Sequence, residues 1–405
     1  MVYTILHIID WLLWIIMAVS VLYALVFSLA SLLPRRQRPI TSGPIPEKHF
    51  LVIFPAYHED SVIIHSIEAF LKQTYPATHY QVVVISDHMR PETNEKLASL
   101  PIMLLQPSFE KSSKAKALQY ALEEVEKEGR GKEDYDDVVI LDADNIAEPD
   151  FLSCLHQECN RGYRAIQCHR TAKNADNAIA ALDGLSEEIN NSIFRKGHNR
   201  IGMSSALIGS GMCFDYQWFK EHVNSLDSAV EDRELEALLM KQRIFIHYAE
   251  DINVMDEKVS NSDNFQRQRL RWMTGQVQAL LRMLSYIPKA IITGNLNYID
   301  KTIQQALIPR SLLLVLIPLF ALITTLLFFL IPSFYTLHFS FFILKWWSLF
   351  LLLCIALFIA IPRPLRNKAI FSKMLSLPRL AWKMLKNLLH IRTSNKEFIH
   401  TTHNQ

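Results

Sequence analysis

The chain has 405 residues, is 50% hydrophobic and 20% charged, and carries a formal net charge of +2, which gives no electrostatic reason to expect a nucleic-acid partner. Its mean hydropathy of +0.11 favours a membrane protein with a large soluble part. The five cysteines form no CxxC pair. Zinc is therefore not expected, and the soluble part suits a reducing cytosol.

An apolar stretch opens the chain. Residues 3–33 are almost entirely apolar, which is long enough to cross a bilayer core of ~30 Å, and arginines follow at once. The stretch is longer than a signal-peptide core and has no small-residue cleavage pattern. We therefore expect residues 1–34 to form an uncleaved transmembrane helix.

Strand-like and helix-like segments alternate in the next part of the chain. The predicted strands and helices are 50–54 (strand), 61–72 (helix), 81–87 (strand), 91–100 (helix), 102–105 (strand), 114–128 (helix) and 138–141 (strand). This alternation predicts βαβ units, and hence an α/β domain with a mainly parallel sheet and helices on both faces. We place this domain at residues 46–279.

Carboxylates recur where the predicted strands end. Glu59 follows the first strand, Asp87 ends the second, and Asp142 and Asp144 follow the fourth. Open α/β sheets bind ligands at this carboxyl edge, and Mg²⁺ or Mn²⁺ prefers such oxygens and can also hold a pyrophosphate. For Asp144 alone, a helix-capping role is equally favoured. The repetition of acids at one edge predicts a nucleotide and metal site.

Two common nucleotide motifs are missing from the sequence. No GxGxxG follows the first strand and no GxxxxGKS occurs, which argues against a dinucleotide enzyme and a P-loop NTPase. Lys114 opens a predicted helix, where a lysine suits phosphate. A solvated basic face is an equally good interpretation of that lysine.

The following region is more mixed, with a predicted strand at 163–169 and a predicted helix at 178–194. Gly209 and Gly211 lie in an apolar run, where glycine would let the backbone approach a ligand such as a sugar, or would simply make a turn. Glu231 and Asp232 open a predicted helix, for which a capping role is favoured from the sequence alone.

A basic, aromatic segment closes the predicted domain. Gln268, Arg271 and Trp272 lie in it, just before a stretch of mixed apolar and basic residues. The segment either anchors the domain at the membrane or supplies an arginine to a diphosphate and an aromatic face to a sugar ring.

Two further apolar runs, at 311–332 and 339–362, come late in the chain. We expect two transmembrane helices within residues 306–362, so that the chain has about three spans. Pro318 and Lys345 interrupt these runs, and the alternative is that one run is a buried or re-entrant helix. We expect Lys345 to extend toward the lipid headgroups.

Positive residues flank these runs and predict the orientation. Arg363, Arg366 and Lys368 follow the last run, as Arg35 follows the first. Positive residues mark the cytosolic side, which predicts a cytosolic soluble domain and C-terminus in the plasma or inner membrane.

Amphipathic stretches lie on both sides of the late spans. Residues 280–305 and the basic tail at 363–405 (chiefly 371–391) mix apolar, aromatic and basic residues. We interpret both as interfacial helices in the cytosolic headgroup region, with packing against the soluble domain as the alternative.

Taken in order, these features resemble the membrane-bound inverting glycosyltransferases of family 2, which include cellulose, chitin, hyaluronan and poly-N-acetylglucosamine synthases and ceramide glucosyltransferases. The resemblance covers about residues 50–272 and the membrane frame. The residues that carry it are Pro55-Ala56-Tyr57 with Glu59, Asp87, Lys114 to Leu118, Asp142-Ala143-Asp144, Gly209-Ser210-Gly211, Glu231-Asp232 and Gln268-x-x-Arg271-Trp272. It implies a GT-A-type fold that binds a nucleotide sugar.

The resemblance also implies roles for the donor-binding residues. Glu59, Asp87 and Asp142 would contact the uridine part of a UDP-sugar, and Lys114 belongs to the same nucleotide-sugar site. Asp144 would bind Mg²⁺ or Mn²⁺ on the diphosphate, which helps UDP to leave.

The remaining matches lie on the acceptor side. Asp232 would be the general base that deprotonates the acceptor hydroxyl, with Glu231 beside it. Gln268, Arg271 and Trp272, with Gly209 and Gly211, would hold the diphosphate and the acceptor sugar. One-step displacement opposite the leaving group would invert the anomeric carbon.

Three positions depart from the family pattern. His58 stands where Asn is usual, Ser86 where many relatives have an Asp, and Val230 where Thr is frequent. None of them removes a carboxylate that the mechanism needs. The sequence also has no clear match to the gating loop of cellulose synthases, and only two late spans.

The sequence supports more than one function. The first hypothesis is metal-dependent elongation of a β-linked polysaccharide. The alternative is a single transfer to a lipid or lipid-linked acceptor, which the few spans and the interfacial helices favour. A non-catalytic membrane scaffold is a third hypothesis, and a nucleotidyltransferase is a more distant one.

Overall fold

Alternating strands and helices build one sheet with helices on both faces. The computed structural model describes residues 2–35, 37–39, 46–131, 133–174, 178–228, 230–258, 262–330, 337–368 and 372–373. The tail helix predicted at 371–391 lies almost wholly outside these residues. The described strands are β1 (Phe50–Tyr57), β2 (Tyr80–Asp87), β3 (Met103–Leu105), β4 (Asp137–Ile140), β5 (Ile146–Ala147), β6 (Ala165–Ala172), β7 (Met212–Asp215) and β8 (Ile246–Asp256).

The sheet has the order β3-β2-β1-β4-β7-β6-β8-β5. Four of its seven strand pairings are parallel, and the antiparallel ones all involve β7 or β5. The predicted α/β fold with a mainly parallel sheet is therefore confirmed.

Some of the helices lie on the two faces of this sheet, and the long apolar ones pack together in a bundle. They are α1 (Val2–Ala30), α2 (Ile63–Phe70), α3 (Pro91–Ala98), α4 (Lys114–Lys127), α5 (Phe151–Cys159), α6 (Ala178–Asn190), α7 (His198–Arg200), α8 (Tyr216–Val223), α9 (Glu231–Lys241), α10 (Ser262–Leu284), α11 (Ile287–Ile292), α12 (Leu296–Ala306), α13 (Arg310–Leu330) and α14 (Leu337–Ala360). A π-helical segment, Asn191–Gly197, joins α6 to α7.

Alternation of side chains along the central strands explains the two layers of helices. Leu51 and Ile53 of β1 face a core that also contains α4, α8 and α9, whereas Val52 and Phe54 face a core with α2 and α5. Successive residues of a strand point to opposite faces, so a fully apolar strand such as β1 must be covered on both sides.

One strand boundary differs from the prediction, and one strand was not predicted. The first strand, predicted to end at residue 54, continues through Pro55-Ala56-Tyr57, and the chain turns only at His58, whose φ is 54°. Strand β8 was not predicted, because its polar residues hide its period. One of these, His247, is buried and lies 3.2 Å from the Glu158 carboxylate.

Three helices are long and apolar enough to span a membrane: His7–Ala30 within α1, Arg310–Leu330 and Phe341–Ala360 within α14. They pack together through residues such as Val21, Ile317 and Trp346. Helix α13 runs without interruption through Pro318.

The expectation for Lys345 was wrong. Its side chain does not extend toward headgroups but is buried against α1, where it pairs with the Asp10 carboxylate and lies over the rings of Trp11 and Phe342. A charge inside an apolar bundle needs such a partner, which explains why Asp10 and Lys345 both occur in spans.

The segment around Gln268 and Trp272 lies in the middle of α10, a 23-residue helix that continues past residue 279. Further along α10, the Gln276 amide donates to the carbonyls of Gln305 and Leu307, just before α13. Helix α10 therefore links the sheet domain to the start of a membrane-spanning helix.

Candidate active site

A large cavity opens at the carboxyl ends of β1, β2 and β4. Its volume is about 1160 Å³. Eleven of the twelve predicted site residues line it: Glu59, Asp87, Lys114, Asp142, Asp144, Gly209, Glu231, Asp232, Gln268, Arg271 and Trp272. The carboxyl edge of the sheet, the start of α9 and the middle of α10 are therefore brought to one place, of which the alternation of strands predicts only the sheet edge.

Gly211 is the predicted residue that does not line the cavity. A side chain there would meet the Val254 side chain at 3.2 Å and the Cβ of Cys168 at 3.4 Å. Its φ of 63° also favours glycine. Gly211, just before β7, thus allows close packing against β6 and β8. Gly209 instead faces the start of α9, with the Glu231 carboxylate 3.8 Å from the position of a Cβ.

The turns after β1 and β2 share one unusual conformation. His58 and His88 have φ values of 54° and 56°, and their rings lie 5.7 Å apart. Asn and His both adopt this left-handed conformation more readily than most residues, which explains how His58 can stand where Asn is usual. The Nδ1 atom of His88 lies 2.5 Å from the buried Asp87 carboxylate.

Lys114 joins three segments of the site. Its ammonium pairs with the Asp142 carboxylate, donates to the carbonyl of Gly209 at 2.5 Å and lies 3.6 Å from Glu231. Burial alone would lower the pKa of Lys114, but the two carboxylates outweigh it and raise that pKa. The lysine thus fixes the end of β4, the glycine loop and the start of α9 relative to one another.

Glu231 and Asp232 lie in the first turn of α9 and differ in environment. Glu231 is buried, and burial raises its pKa to about 7, although the Lys114 charge opposes this shift. Asp232 is half-buried on the cavity wall, and one of its carboxylate oxygens accepts from the backbone N–H of Arg233 at 2.9 Å.

Asp144 lies beside a second acid, Asp256 at the end of β8. Burial raises the pKa of Asp144 well above its usual range, and the charges of Asp256 and Asp142 raise it further. The buried Asp144 carboxylate and the half-buried Asp256 carboxylate, with Asp142 nearby, are an oxygen-donor set that fits a hard divalent cation.

An ion network that was not predicted lies behind this pair. The carboxylate of Asp256 is 2.8 Å from the Lys258 ammonium and 3.2 Å from the Arg170 guanidinium, and Glu187 pairs with Arg170 and Arg195 at 3.2 and 3.3 Å. Burial would raise the pKa of Asp256, but Lys258 and Arg170 hold it below its usual range. Asp256, like Asp87, ends a strand at the same edge, but this signal was hidden because β8 itself was not predicted.

Helix α10 closes the cavity opposite the sheet. Gln268, Arg271 and Trp272 line the cavity from this side. One turn later, Gly275 packs so closely on Val230 that a Cβ at Gly275 would lie 2.4 Å from a Val230 methyl group. Val230, the residue before Glu231, therefore packs directly against α10.

The cavity continues from the acids into the helical bundle. We call the part at the strand ends the acidic half. We call the part between α1, α6, α13 and α14 the aliphatic half, which is lined mainly by Ala24, Leu182, Leu185, Ile189, Leu313, Leu314, Val315, Leu319, Leu322 and Leu357. This continuation could not be predicted from the sequence, because it depends on how the spans pack against α6.

Comparison with known families agrees with this arrangement. Residues 138–361, more than half of the chain, match the glycosyl transferase family group 2, and residues 51–221 match glycosyl transferase family 2. The chain belongs to this family. It is a glycosyltransferase with a GT-A-like fold, as the resemblance implied, and no curated protein sequence matches it.

Several solved glycosyltransferases resemble the structure at low sequence identity. The mannosyltransferase PcManGT from Pyrobaculum calidifontis, in complex with GDP-Man and Mn²⁺, has a TM-score of 0.50 at 15% identity, over 84% of this chain and 98% of that one. TarS 1–349 of S. aureus, in complex with UDP, has a TM-score of 0.41 at 14% identity, over 87% and 95%. The first supports the fold alone, and the second is too distant to carry an argument.

Proposed function

We propose that this glycosyltransferase transfers one sugar from a UDP-sugar to a hydroxyl of a lipid or lipid-linked acceptor that enters from the membrane. The observation that carries the proposal is the single cavity that joins the acidic half to the aliphatic half. A water-soluble donor and an apolar acceptor can meet only where two such environments are continuous.

The acidic half suits the donor. In this proposal Glu59, Asp87 and Asp142 bind the uridine part, as the family resemblance implies, and Asp144 with Asp256 holds Mg²⁺ or Mn²⁺. A bound divalent cation would neutralise charge on the leaving diphosphate. The raised pKa of Asp144 supports this assignment, because a carboxylate that is hard to ionise alone gains most from a cation.

Asp232 is the proposed general base. The acceptor oxygen attacks the anomeric carbon, its proton passes to the Asp232 carboxylate, and the bond from the anomeric carbon to the diphosphate oxygen breaks with both electrons on UDP. Because attack comes from the side opposite UDP, the anomeric configuration inverts. Gln268, Arg271 and Trp272 line the cavity opposite the sheet, where they can hold the diphosphate and the sugar.

The lining of the aliphatic half favours a lipid over a growing polysaccharide. From Leu313 to Leu322 it follows α13 with a rise of about 14 Å, which is nearly half of a ~30 Å bilayer core. Leucine, isoleucine and valine side chains offer no hydrogen bonds to a glycan but match a hydrocarbon chain. Polysaccharide elongation, the first hypothesis from the sequence, therefore becomes the alternative. Trp272, which lines the cavity, supports this alternative.

We place the sheet domain in the cytosol, in an integral protein of the plasma or inner membrane. Arg35 follows α1, Arg310 begins α13, and Arg363 follows α14, so that all three arginines mark the same side. That distribution follows the positive-inside rule, and a nucleotide-sugar donor is found in the cytosol.

Nucleotide release from detergent-purified protein tests the donor and the metal. The protein would be offered a panel of UDP-sugars and GDP-mannose, with Mg²⁺, Mn²⁺ or a chelator. We expect release with one UDP-sugar only, dependent on the cation. Turnover with GDP-mannose alone would overturn the choice of nucleotide, and no turnover with any donor in native lipid would revive the scaffold hypothesis.

A further inference from the structure

A second, smaller cavity lies beside the end of α1 that leads into the sheet domain. Its volume is about 310 Å³, at the lower end of the range for small-ligand sites. In the part of the chain that the structure describes, no residue lines both this cavity and the large cavity of the candidate active site. The proposed function therefore makes no use of it.

Cations outnumber carboxylates around this second cavity. Among the described residues, the carboxylates that pair with its cations are those of Glu158, Glu250 and Asp251. The cations that line the cavity or lie beside it are Arg35, Arg38, Arg161, Lys196 and Arg200. The group therefore keeps a net positive charge after its ion pairs are counted.

Glu250 is shared by three of these cations. Its carboxylate lies 2.6 Å from Arg200, 3.1 Å from Lys196 and 3.9 Å from Arg35. Burial would raise the pKa of Glu250, but Arg200 and Lys196 lower it below its usual value, so the carboxylate is ionised. Three positive charges around one negative charge still attract a further anion.

Arg38 has a defined place although its side chain is exposed. Its guanidinium lies 4.6 Å from the centroid of the Tyr163 ring, and its Nη1 atom donates to the Gly162 carbonyl at 3.1 Å. The Tyr163 ring stacks on His247, with ring centroids 3.9 Å apart. A positioned guanidinium suits phosphate, because its planar donors match the spacing of phosphate oxygens.

The second cavity lies at the level of lipid headgroups. Arg35 lies five residues after the end of α1, and the side chains of Leu32 and Leu33 between them are exposed. Arg200 belongs to α7, whose His198 stacks on α1. Positive residues at the end of a membrane span attract the phosphates of anionic lipids.

We propose that this cavity binds the phosphate group of an anionic membrane lipid through Arg38, Lys196 and Arg200. The excess positive charge supplies the attraction, and the exposed Leu32 and Leu33 lie where the hydrocarbon chains of the lipid remain in the bilayer. A soluble phosphate ester offers the same charge without the chains. The lipid bound here is not the acceptor, because Asp232 lines the other cavity.

Native mass spectrometry of the full-length protein in detergent measures this binding directly. The protein would be titrated with phosphatidylglycerol, with zwitterionic phosphatidylcholine of the same chains, and with soluble glycerol phosphate. We expect phosphatidylglycerol to bind about tenfold or more tightly than either of the others. Equal binding of phosphatidylcholine would overturn the selection for negative charge. Equal binding of glycerol phosphate would overturn the assignment to a lipid.

Substitutions with opposite effects on charge test the residues. Arg38→Gln combined with Lys196→Gln should weaken phosphatidylglycerol binding about tenfold or more, whereas Glu250→Gln should strengthen it, because the shared carboxylate is removed. The matched control, Arg363→Gln with Lys368→Gln, removes two exposed cations that follow α14 and should bind as the wild type does. Weaker binding in Glu250→Gln, or equal losses in the double variant and the control, would overturn the proposal.

UDP affinity shows whether the double variant is folded. It should equal that of the wild type, since neither Arg38 nor Lys196 lines the large cavity. If UDP affinity were lost, the exposed Arg38→Gln alone would decide, because this arginine lies on the surface. Unchanged phosphatidylglycerol binding in that single variant would overturn the proposal.

Discussion

Glu231 is the residue whose ionisation should be visible in the stability of the protein. Its pKa is raised from 4.5 to about 7, so between these values the folded protein keeps a proton that the unfolded chain has lost. The stability contributed by the neutral carboxyl is present below about pH 4.5 and lost as pH rises through about 7. We expect Glu231→Gln to reduce the decline of the melting temperature across this range. The exposed Glu123→Gln should leave the decline unchanged.

Asp232 should matter for transfer and not for donor binding. Because the base acts on the acceptor hydroxyl, Asp232→Asn should lower kcat about 100-fold or more. UDP affinity, measured by titration calorimetry, should remain that of the wild type, as it should in the exposed control Asp150→Asn. Loss of UDP binding in Asp232→Asn would contradict the role.

Asp144 should matter for the metal. Removal of the buried Asp144 carboxylate relieves its repulsion with Asp256, so Asp144→Asn should melt no lower than the wild type without metal. The increase in melting temperature that Mn²⁺ and UDP give together should disappear. A variant that retains this increase would place the cation elsewhere.

At the scale of residues, motifs at strand ends could be predicted and long-range partners could not. Asp87, Asp142 and Asp144 follow recognisable strands, so one sheet edge brings them together. Arg170 acquires its place by pairing with Asp256, more than 80 residues further along the chain, and nothing local marks such a pair.

At the scale of elements, α1 is docked to the domain by a contact that has no room for a side chain. A Cβ at Gly197, in the π-helical segment, would lie 2.2 Å from the carbonyl oxygen of Phe27 in α1. Gly197→Ala should therefore destabilise the protein by about 1–3 kcal/mol, as overpacking does. Gly131→Ala, which meets no atom within 4 Å, is the control. Equal melting temperatures of the two variants in detergent would contradict this docking.

The same contact region carries a buried polar cluster. The Tyr23 hydroxyl of α1 donates to the Asp300 carboxylate of α12 at 2.6 Å, and His198 stacks on Phe27 with ring centroids 3.6 Å apart. Hydrophobic periodicity predicts helices but not such pairings between them. The sequence therefore indicated the spans, whereas the docking of α1 onto α12 required the structure. Strand β8 was not predicted for a related reason. Its buried His247 pairs with Glu158 of α5, and the sequence alone does not indicate this pairing.

For the whole molecule, the aliphatic half of the cavity should be needed for transfer and not for donor binding. Leu314→Trp places a large side chain in this half from α13. Transfer to a lipid should fall about tenfold or more, whereas UDP affinity should be unchanged, because even a small misplacement of the acceptor is costly. Leu326→Trp, on the exposed surface of the same helix, should transfer at the wild-type rate. Equal activities of the two variants would show that no acceptor occupies this half.

Composition and the order of the motifs predicted part of the overall organisation of the molecule. Three spans around an α/β domain followed from apolar length and the alternation of elements. The continuity of the cavity did not, because α6, which was predicted only as a helix, supplies Leu182 and Ile189 to a cleft between spans. That cleft is what shifts the preferred acceptor from a polysaccharide to a lipid.

The most direct measurement is mass spectrometry of both phases after reaction. Protein in native-lipid nanodiscs would be incubated with the active donor and Mn²⁺, and the lipid extract and the aqueous phase would be analysed separately. We predict a lipid whose mass is raised by one sugar residue, absent with Asp232→Asn. A ladder of water-soluble oligosaccharides, with no modified lipid, would contradict transfer within the cleft and identify a polymer synthase.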